Sequence, residues 1–283
     1  MEEVVKSFRK SGFSVEVISY PRDRRSVDVV AISDSEKVLI KVSYDARDVS
    51  RVEAEDLSRA EKAYGVSTAV VAARSGKSEL EDDVVYFKGS MKIVTPKTLR
   101  KYLDGEKPIV ASIHGTYVVK INPEMFRKKR TEHGYSRGEL ARLLNASTKT
   151  IYMYELGEMH ASLDKAIMLA TLLGEDIFEG FTLRTRLEDE KIRKPCAPRD
   201  PVEEAIYSIA SMLSHEFLNF EKMPVDAVVK GKAITVSVVK SEAHAKDKVE
   251  NAEKIASRVG AELFVIREPG DILVLKKMLT SRA

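Results

Sequence analysis

At 283 residues, 43% of them apolar, the chain is long enough for two or three domains with cores of their own. Basic and acidic residues nearly balance, 47 against 44, so a net charge of +3 selects no class of partner; where the charge clusters matters more. The single cysteine, Cys196, excludes an internal disulfide and a CxxC metal site. No apolar run approaches membrane-spanning length, and the opening MEEVVKSFRKSGF lacks an apolar signal core, so a soluble, cytoplasmic protein without membrane contact is expected. Glutamine is absent and asparagine scarce, a bias of proteins that work hot.

Residues 1–106 read as one α/β domain. Val4, Val5 and Phe8 place a helix over Glu2–Lys10. Strands are expected at Phe13–Ile18, Val27–Ile32, Lys37–Val42 and Ser67–Ala72, with a helix over Ala54–Tyr64 stopped by Gly65. Short strands at Val84–Phe87 and Lys92–Val94 precede a helix at Pro96–Leu103. Residues 107–122 form a connector, with IVASIHGTYVVKI turning as a β-hairpin at His114–Gly115.

A run of helices fills 123–182. Pro123 suits a first helical position, and the first helix runs to His133 before Gly134. Ser136 and Glu139 form a capping box for the second helix, Arg137–Leu144, which turns Leu140, Ala141 and Leu144 inward. After the turn Asn145-Ala146, Ser147 caps the third helix, Thr148–Leu156, whose inner stripe is Ile151 and Tyr154. Ser162 caps a fourth helix with Ile167, Leu169, Ala170 and Leu173 on its core side, and Asp176 opens a short fifth carrying Ile177, Phe178 and Phe181. Tyr135 is placed in the core, and His160 on the loop surface. Basic Arg127, Lys128, Lys129, Arg130, Arg137, Arg142 and Lys149 crowd the first three helices, whereas Glu158, Asp164, Glu175, Asp176 and Glu179 come later.

Residues 183–200, charged and carrying two prolines, read as a linker. Residues 201–283 repeat the opening unit. VEEAIYSIAS matches MEEVVKSFRK, Val225-Asp226 matches Val27-Asp28, Ile234-Thr-Val-Ser matches Ile40-Lys-Val-Ser, and helices end at Gly65 and Gly260. An internal duplication is expected.

The spacing of Ser136, Glu139-Leu140-Ala141, Ser147, Ile151, Glu155, Gly157, Leu163 and Ala170 resembles the lambda-repressor-like (Cro/Xre-type) helix-turn-helix, over about a fifth of the chain and without gaps. The resemblance implies a third helix lying in the major groove of double-stranded DNA, with Thr148, Lys149, Thr150 and Met153 at base edges. It implies phosphate contacts from Arg137, Tyr152 and some of Arg127, Lys128 and Arg130. Arg137 stands where that family often has Gln. Such proteins commonly bind as two-fold dimers, so a homodimer is expected.

The flanking units resemble the PD-(D/E)xK nuclease fold, in which an Asp on one strand and Glu-x-Lys on the next hold Mg²⁺ and support the attacking water. Asp28 matches the first Asp, but Lys41 stands at the Glu position and Ser43 at the Lys position. The second copy keeps Asp226 beside Thr235 and Ser237. One carboxylate per copy cannot assemble the metal site, so no enzyme activity and no cofactor are expected. A phosphate-binding Gly loop, an HExxH motif and clustered His are all absent. The whole order resembles an archaeal family of HTH-type transcriptional regulatory proteins. The expected architecture is α+β multidomain: a central all-α helix-turn-helix domain flanked by two α/β restriction-endonuclease-like units. A sequence-specific transcriptional regulator is the expected function, with a structure-selective nuclease or junction binder, or a protein-binding coactivator, as rivals. The sequence points to no particular small-molecule effector.

Overall fold

The computed structural model describes residues 1–185, 197–230, 233–239 and 241–281; Cys196 and much of the expected linker lie outside them. The first helix, α1 (Glu2–Lys10), starts acidic and ends basic, in line with the helix dipole, and buries Val4, Val5 and Phe8. Strands β1 (Ser14–Val17), β2 (Val29–Ile32) and β3 (Lys37–Val42) pair antiparallel in sequence order, and β4 (Ser67–Val71) lies parallel to β3. Helix α2 (Arg51–Tyr64) makes that crossover. It begins three residues before the expected Ala54, because Ser50 and Glu53 form a capping box one turn upstream. A two-residue-per-strand hairpin follows, β5 (Arg74–Ser75) and β6 (Ser78–Glu79).

Next come the hairpin β7 (Val84–Lys88) and β8 (Met91–Val94), then α3 (Pro96–Leu103), capped by Thr95. Strand β9 (Val110–Ile113) runs parallel to β7 and turns back antiparallel as β10 (Thr116–Val119). His114 and Gly115 both carry positive φ, as a tight hairpin turn of matching twist requires. Helices α4 (Pro123–Glu132), α5 (Arg137–Leu143) and α6 (Thr148–Leu156) follow, then β11 (Ala161–Ser162) and α7 (Leu163–Leu173).

Five expectations are corrected in this stretch. Ser162 makes no side-chain cap; its backbone pairs in β11 with Val118 of β10. Ile167 is exposed and Ala166 takes the buried place on α7. The fifth helix is a single 3₁₀ turn, Glu175–Ile177. His160 packs edge-on against Phe181, 5.6 Å between centroids, instead of lying on the loop surface. Val119 and Ile121 of the hairpin segment join Phe126, Leu140, Ile151, Tyr154, Leu169 and Leu173 in one core. The helical domain is therefore not all-α: strands complete its core.

The last segment holds α8 (Pro201–Met212), β12 (Glu216–Asn219), β13 (Ala227–Lys230), β14 (Ile234–Val238), α9 (Ala245–Val259), β15 (Glu262–Ile266) and α10 (Asp271–Ser281). Its sheet repeats the pairing of the first copy: antiparallel, antiparallel, then parallel across a helix capped by a left-handed glycine, Gly260 for Gly65. Backbone bonds fix the equivalence. Asp28 N–H donates to the Ile40 carbonyl and Asp226 N–H to that of Val236, while Val42 and Val238 N–H donate to the Asp28 and Asp226 carboxylates. Val236 thus answers Ile40, and Ser237, not Thr235, answers Lys41. The match read from sequence was off by two residues.

The described residues form two compact units, one of Met1–Glu79 with the described residues from 197 onward, the other of Leu80–Thr185. By compactness the 80–106 stretch groups with the helices that follow it. Within the first unit the two copies pack on each other reciprocally. Ser19 N–H, just after β1, donates to Asn251 Oδ1 on α9 at 2.7 Å. Glu221 N–H, just after β12, donates to Asp56 Oδ1 on α2 at 3.1 Å. Asp56 and Asn251 hold the same place relative to Gly65 and Gly260, so the contact is an internal pseudo-two-fold. Arg59 Nη1 to the Asn219 carbonyl, the Lys62–Glu216 ion pair and the parallel rings of Tyr64 and Phe220 extend it.

Candidate nucleic-acid interface

The α5–turn–α6 element is built by local rules. Ser136 Oγ accepts from Glu139 N–H at 3.1 Å and the Glu139 carboxylate accepts from Ser136 N–H at 2.8 Å, closing the capping box. Asn145 takes φ 46 in the turn, a conformation Asn tolerates better than most residues. Ser147 Oγ accepts from Thr150 N–H at 3.0 Å and starts α6. Gly157 ends it at φ 76, where a Cβ would also sit 2.8 Å from Pro123 Cγ. Asn122 caps α4 through Met125 N–H, a cap the sequence reading did not assign.

Ile151 and Tyr154 are buried, and this fixes the rotation of α6. Thr148, Lys149 and Tyr152 are then exposed, with Thr150 and Met153 half-buried. Lys149 makes no ion pair with any described residue and stands at the start of the helix. The Thr150 hydroxyl lies 2.9 Å from Ser147 Oγ and belongs to the cap.

The basic candidates separate into two groups. Arg130 and Arg137 converge on Glu155, whose side chain is fully buried. The Nε and Nη2 of Arg130 grip Oε1, both at 2.7 Å. Those of Arg137 grip Oε2 at 2.7 and 2.6 Å. Burial works to raise the Glu155 pKa, but the two guanidinium groups outweigh it and hold the carboxyl below the ordinary range. Arg130 also donates to the Tyr135 carbonyl, and its side chain is only 14% exposed. Arg137 is 44% exposed and lies over the Tyr152 ring, 5.2 Å from its centroid. Lys128 and Arg127 are exposed; among the described residues Lys128 has only a long pairing to Glu132, at 3.9 Å. Lys129 instead reaches Asp176 at 2.8 Å, and Lys120 reaches Glu179 at 2.9 Å, so two of the later acids neutralise bases of the same unit.

Glu155 as the hub was not visible as such in the sequence. It lies 18 and 25 residues from its partners, and no local spacing pairs groups so far apart.

At the nuclease-like positions cations lie beside the strand Asp. In the first copy Arg25 Nε sits 2.7 Å from Asp28 Oδ1, and Lys41 Nζ lies 3.4 Å from Asp28 Oδ2 and 3.2 Å from Glu53 Oε1. The place of a second metal-binding carboxylate is thus taken by an ammonium group. In the second copy Ser237 donates to the Pro224 carbonyl, and Lys248 of α9 pairs with Asp226 at 2.6 Å. Lys248 holds the helix position of Glu53, twelve residues before the capping glycine. No cluster of three or more His, Cys, Asp or Glu able to hold a metal occurs among the described residues. No helix among them is long and apolar enough to cross a membrane.

A family model described as a PD-(D/E)XK superfamily domain matches residues 1–108, and one described as a helix-turn-helix matches 126–179. Among similar proteins, one from Aeropyrum pernix is 37% identical over 70% of this chain and 60% of its own length, so the chain spans less than two thirds of that relative. A protein from Thermococcus gammatolerans is 30% identical over 97% of this chain and 84% of its own length. One from Thermococcus kodakarensis is 31% identical over 85% and 74%. Each bears the name "Putative HTH-type transcriptional regulatory protein". No solved structure matches the chain. With the helix-turn-helix in place and a relative aligned over nearly the full chain, the protein belongs to this archaeal family of HTH-type transcriptional regulatory proteins.

Proposed function

We propose that the protein is a sequence-specific transcriptional regulator that binds double-stranded DNA as a two-fold homodimer. The observation that carries this reading is α6: capped at Ser147, rotated by Ile151 and Tyr154, and presenting at its exposed start Thr148 and a Lys149 that makes no ion pair among the described residues. In the major groove, Lys149 hydrogen-bonds guanine O6 or N7, with Thr148, Thr150 and Met153 beside it. Arg127, Lys128, Arg137 and Tyr152 contact phosphates. Arg130, clasped by Glu155, braces the element from within. Because the copy–copy face is already filled inside one chain, the second protomer docks elsewhere.

The α/β copies act as a non-catalytic platform. Each keeps one Asp and faces it with cations, and two metal-binding carboxylates are needed for Mg²⁺-dependent hydrolysis. Duplex selection from a random pool, scored by anisotropy at fixed salt, tests the whole reading. A two-fold-symmetric site should be enriched. Lys149→Ala should lose about 1–3 kcal/mol of discrimination at one base pair while general affinity falls less. Equal weak binding to every duplex would reject it, and Mg²⁺-dependent cleavage of branched DNA lost in Asp28→Ala would establish the nuclease rival.

A further inference from the structure

The two α/β copies serve as controls for each other along their first helices. Gly12 and Ser214 both take positive φ just past those helices, and Phe13 and His215 N–H donate back to the Phe8 and Ala210 carbonyls, so Ala210 answers Phe8. Lys6, Arg9 and Lys10 of α1 then correspond to Ser208, Ser211 and Met212 of α8, and all six are exposed. Val5, buried in α1, becomes Tyr207, which packs edge-on against Phe217 and is still 43% exposed. The outer face of a solvated helix is ordinarily polar and charged. That holds for α1, whereas α8 has lost all three cations from the same positions.

Helix α10 continues the uncharged surface. Ile206 and Ile209 of α8 share one core with Leu275 and Leu279 of α10 and with Val229 and Val236 of the second sheet, so both helices cover the same sheet face, α10 beside α8. Their outward sides therefore look the same way. Met212 is 73% exposed, Leu273 65% and Val274 50%. Large apolar side chains gathered on a surface and rimmed by polar ones mark an interaction site. Charge on the rim is divided between the helices: the exposed charge of α8 is Glu204, and those of α10 are Lys276 and Lys277. None of the three makes an ion pair with any described residue. Asp271 is engaged locally, accepting from the N–H groups of Arg267 and Glu268. A surface with its acid on one helix and its bases on the neighbour is complementary to itself. Turned by a two-fold axis, α8 of one protomer meets α10 of the other, and Glu204 faces the two lysines at both ends of the contact.

We propose that a second copy of this chain docks on the outer face of α8 and α10, the two protomers related by a two-fold axis. Tyr207, Met212, Leu273 and Val274 form the apolar centre, and Glu204 with Lys276 and Lys277 forms the polar rim that sets the register. The inference rests on the homodimer of the DNA reading and gives it an interface.

Sedimentation velocity of the full chain over a micromolar concentration series, without DNA, tests it, so the result does not depend on the duplex selection. The wild type should dimerise. Met212→Lys and Leu273→Lys should each weaken the dimer at least about tenfold with unchanged circular dichroism. Glu204→Lys should weaken it several-fold, and adding Lys276→Glu and Lys277→Glu should restore it; that rescue decides the matter if a lysine in the apolar centre disturbs folding. Ile167→Lys, at the most exposed apolar position of α7, should change nothing. A dimer that survives Met212→Lys and Leu273→Lys, dissociates in Ile167→Lys, or shows no rescue by charge exchange would overturn this interface and leave the homodimer standing. A wild type that stays monomeric throughout would overturn both, while enrichment of a duplex would still uphold DNA binding.

Discussion

Replacing Glu155 by Gln keeps the side chain's size but removes the charge on which Arg130 and Arg137 converge. Breaking a buried ion pair from one side costs about 3–5 kcal/mol, because the partner is left buried and uncompensated. Two features reduce that here. Arg137 is 44% exposed and can turn to water, so its share is discounted. Glu155 sits in the last turn of α6, where a negative charge opposes the helix dipole, and losing it returns about 0.3–1 kcal/mol. Arg130, 14% exposed and tied to the Tyr135 carbonyl, has no such escape. The expected net loss is about 2–3 kcal/mol. Urea unfolding of the full chain, followed by a probe placed in the Leu80–Thr185 unit, measures it. A double-mutant cycle of Glu155→Gln with Arg130→Met should show coupling above about 1 kcal/mol. A loss under about 0.5 kcal/mol, the level of an ordinary surface change, would refute the reasoning. So would strict additivity in the cycle.

The same carboxyl sets a pH dependence. Its folded pKa is depressed, so its contribution is present above the ordinary Glu range and is lost as pH falls through the folded value. The acid limb of the unfolding profile should therefore flatten in Glu155→Gln. Gly157→Ala places a Cβ at positive φ and against Pro123, and should lower stability by more than about 1 kcal/mol in thermal melts. Asp56 accepts from Ser26 Oγ and from the N–H groups of Glu221 and Lys222, so Asp56→Ala leaves buried donors unpaired. A loss of at least about 2 kcal/mol is expected, read as a lower urea midpoint for the Met1–Glu79 unit. Asp56→Asn should recover part of it, since Asn251 does the equivalent work in the other copy.

Features set within one or two turns of chain were legible in the sequence. The capping box at Ser136 and Glu139, the Ser147 cap and the glycine stops at 65, 157 and 260 depend on neighbours three or four residues away, so residue type and spacing suffice. The recurring strand and helix order was readable from the recurring apolar runs. Its register was not. A strand's side chains repeat every two residues, so matching Ile234 or Val236 to Ile40 preserves the same buried face, and only the hydrogen bonds of Asp28 and Asp226 choose between them. Tertiary structure alone decided that the two copies close on each other within one chain, through bonds such as Ser19 to Asn251, 232 residues apart. It alone moved residues 80–106 into the unit of the helices, tied Ser162 into β11, turned Ile167 outward and drew Arg130 onto Glu155. These outcomes depend on which surfaces meet after the elements have formed. Local propensity fixes the elements, but the free energy of burying one face against another decides the partner.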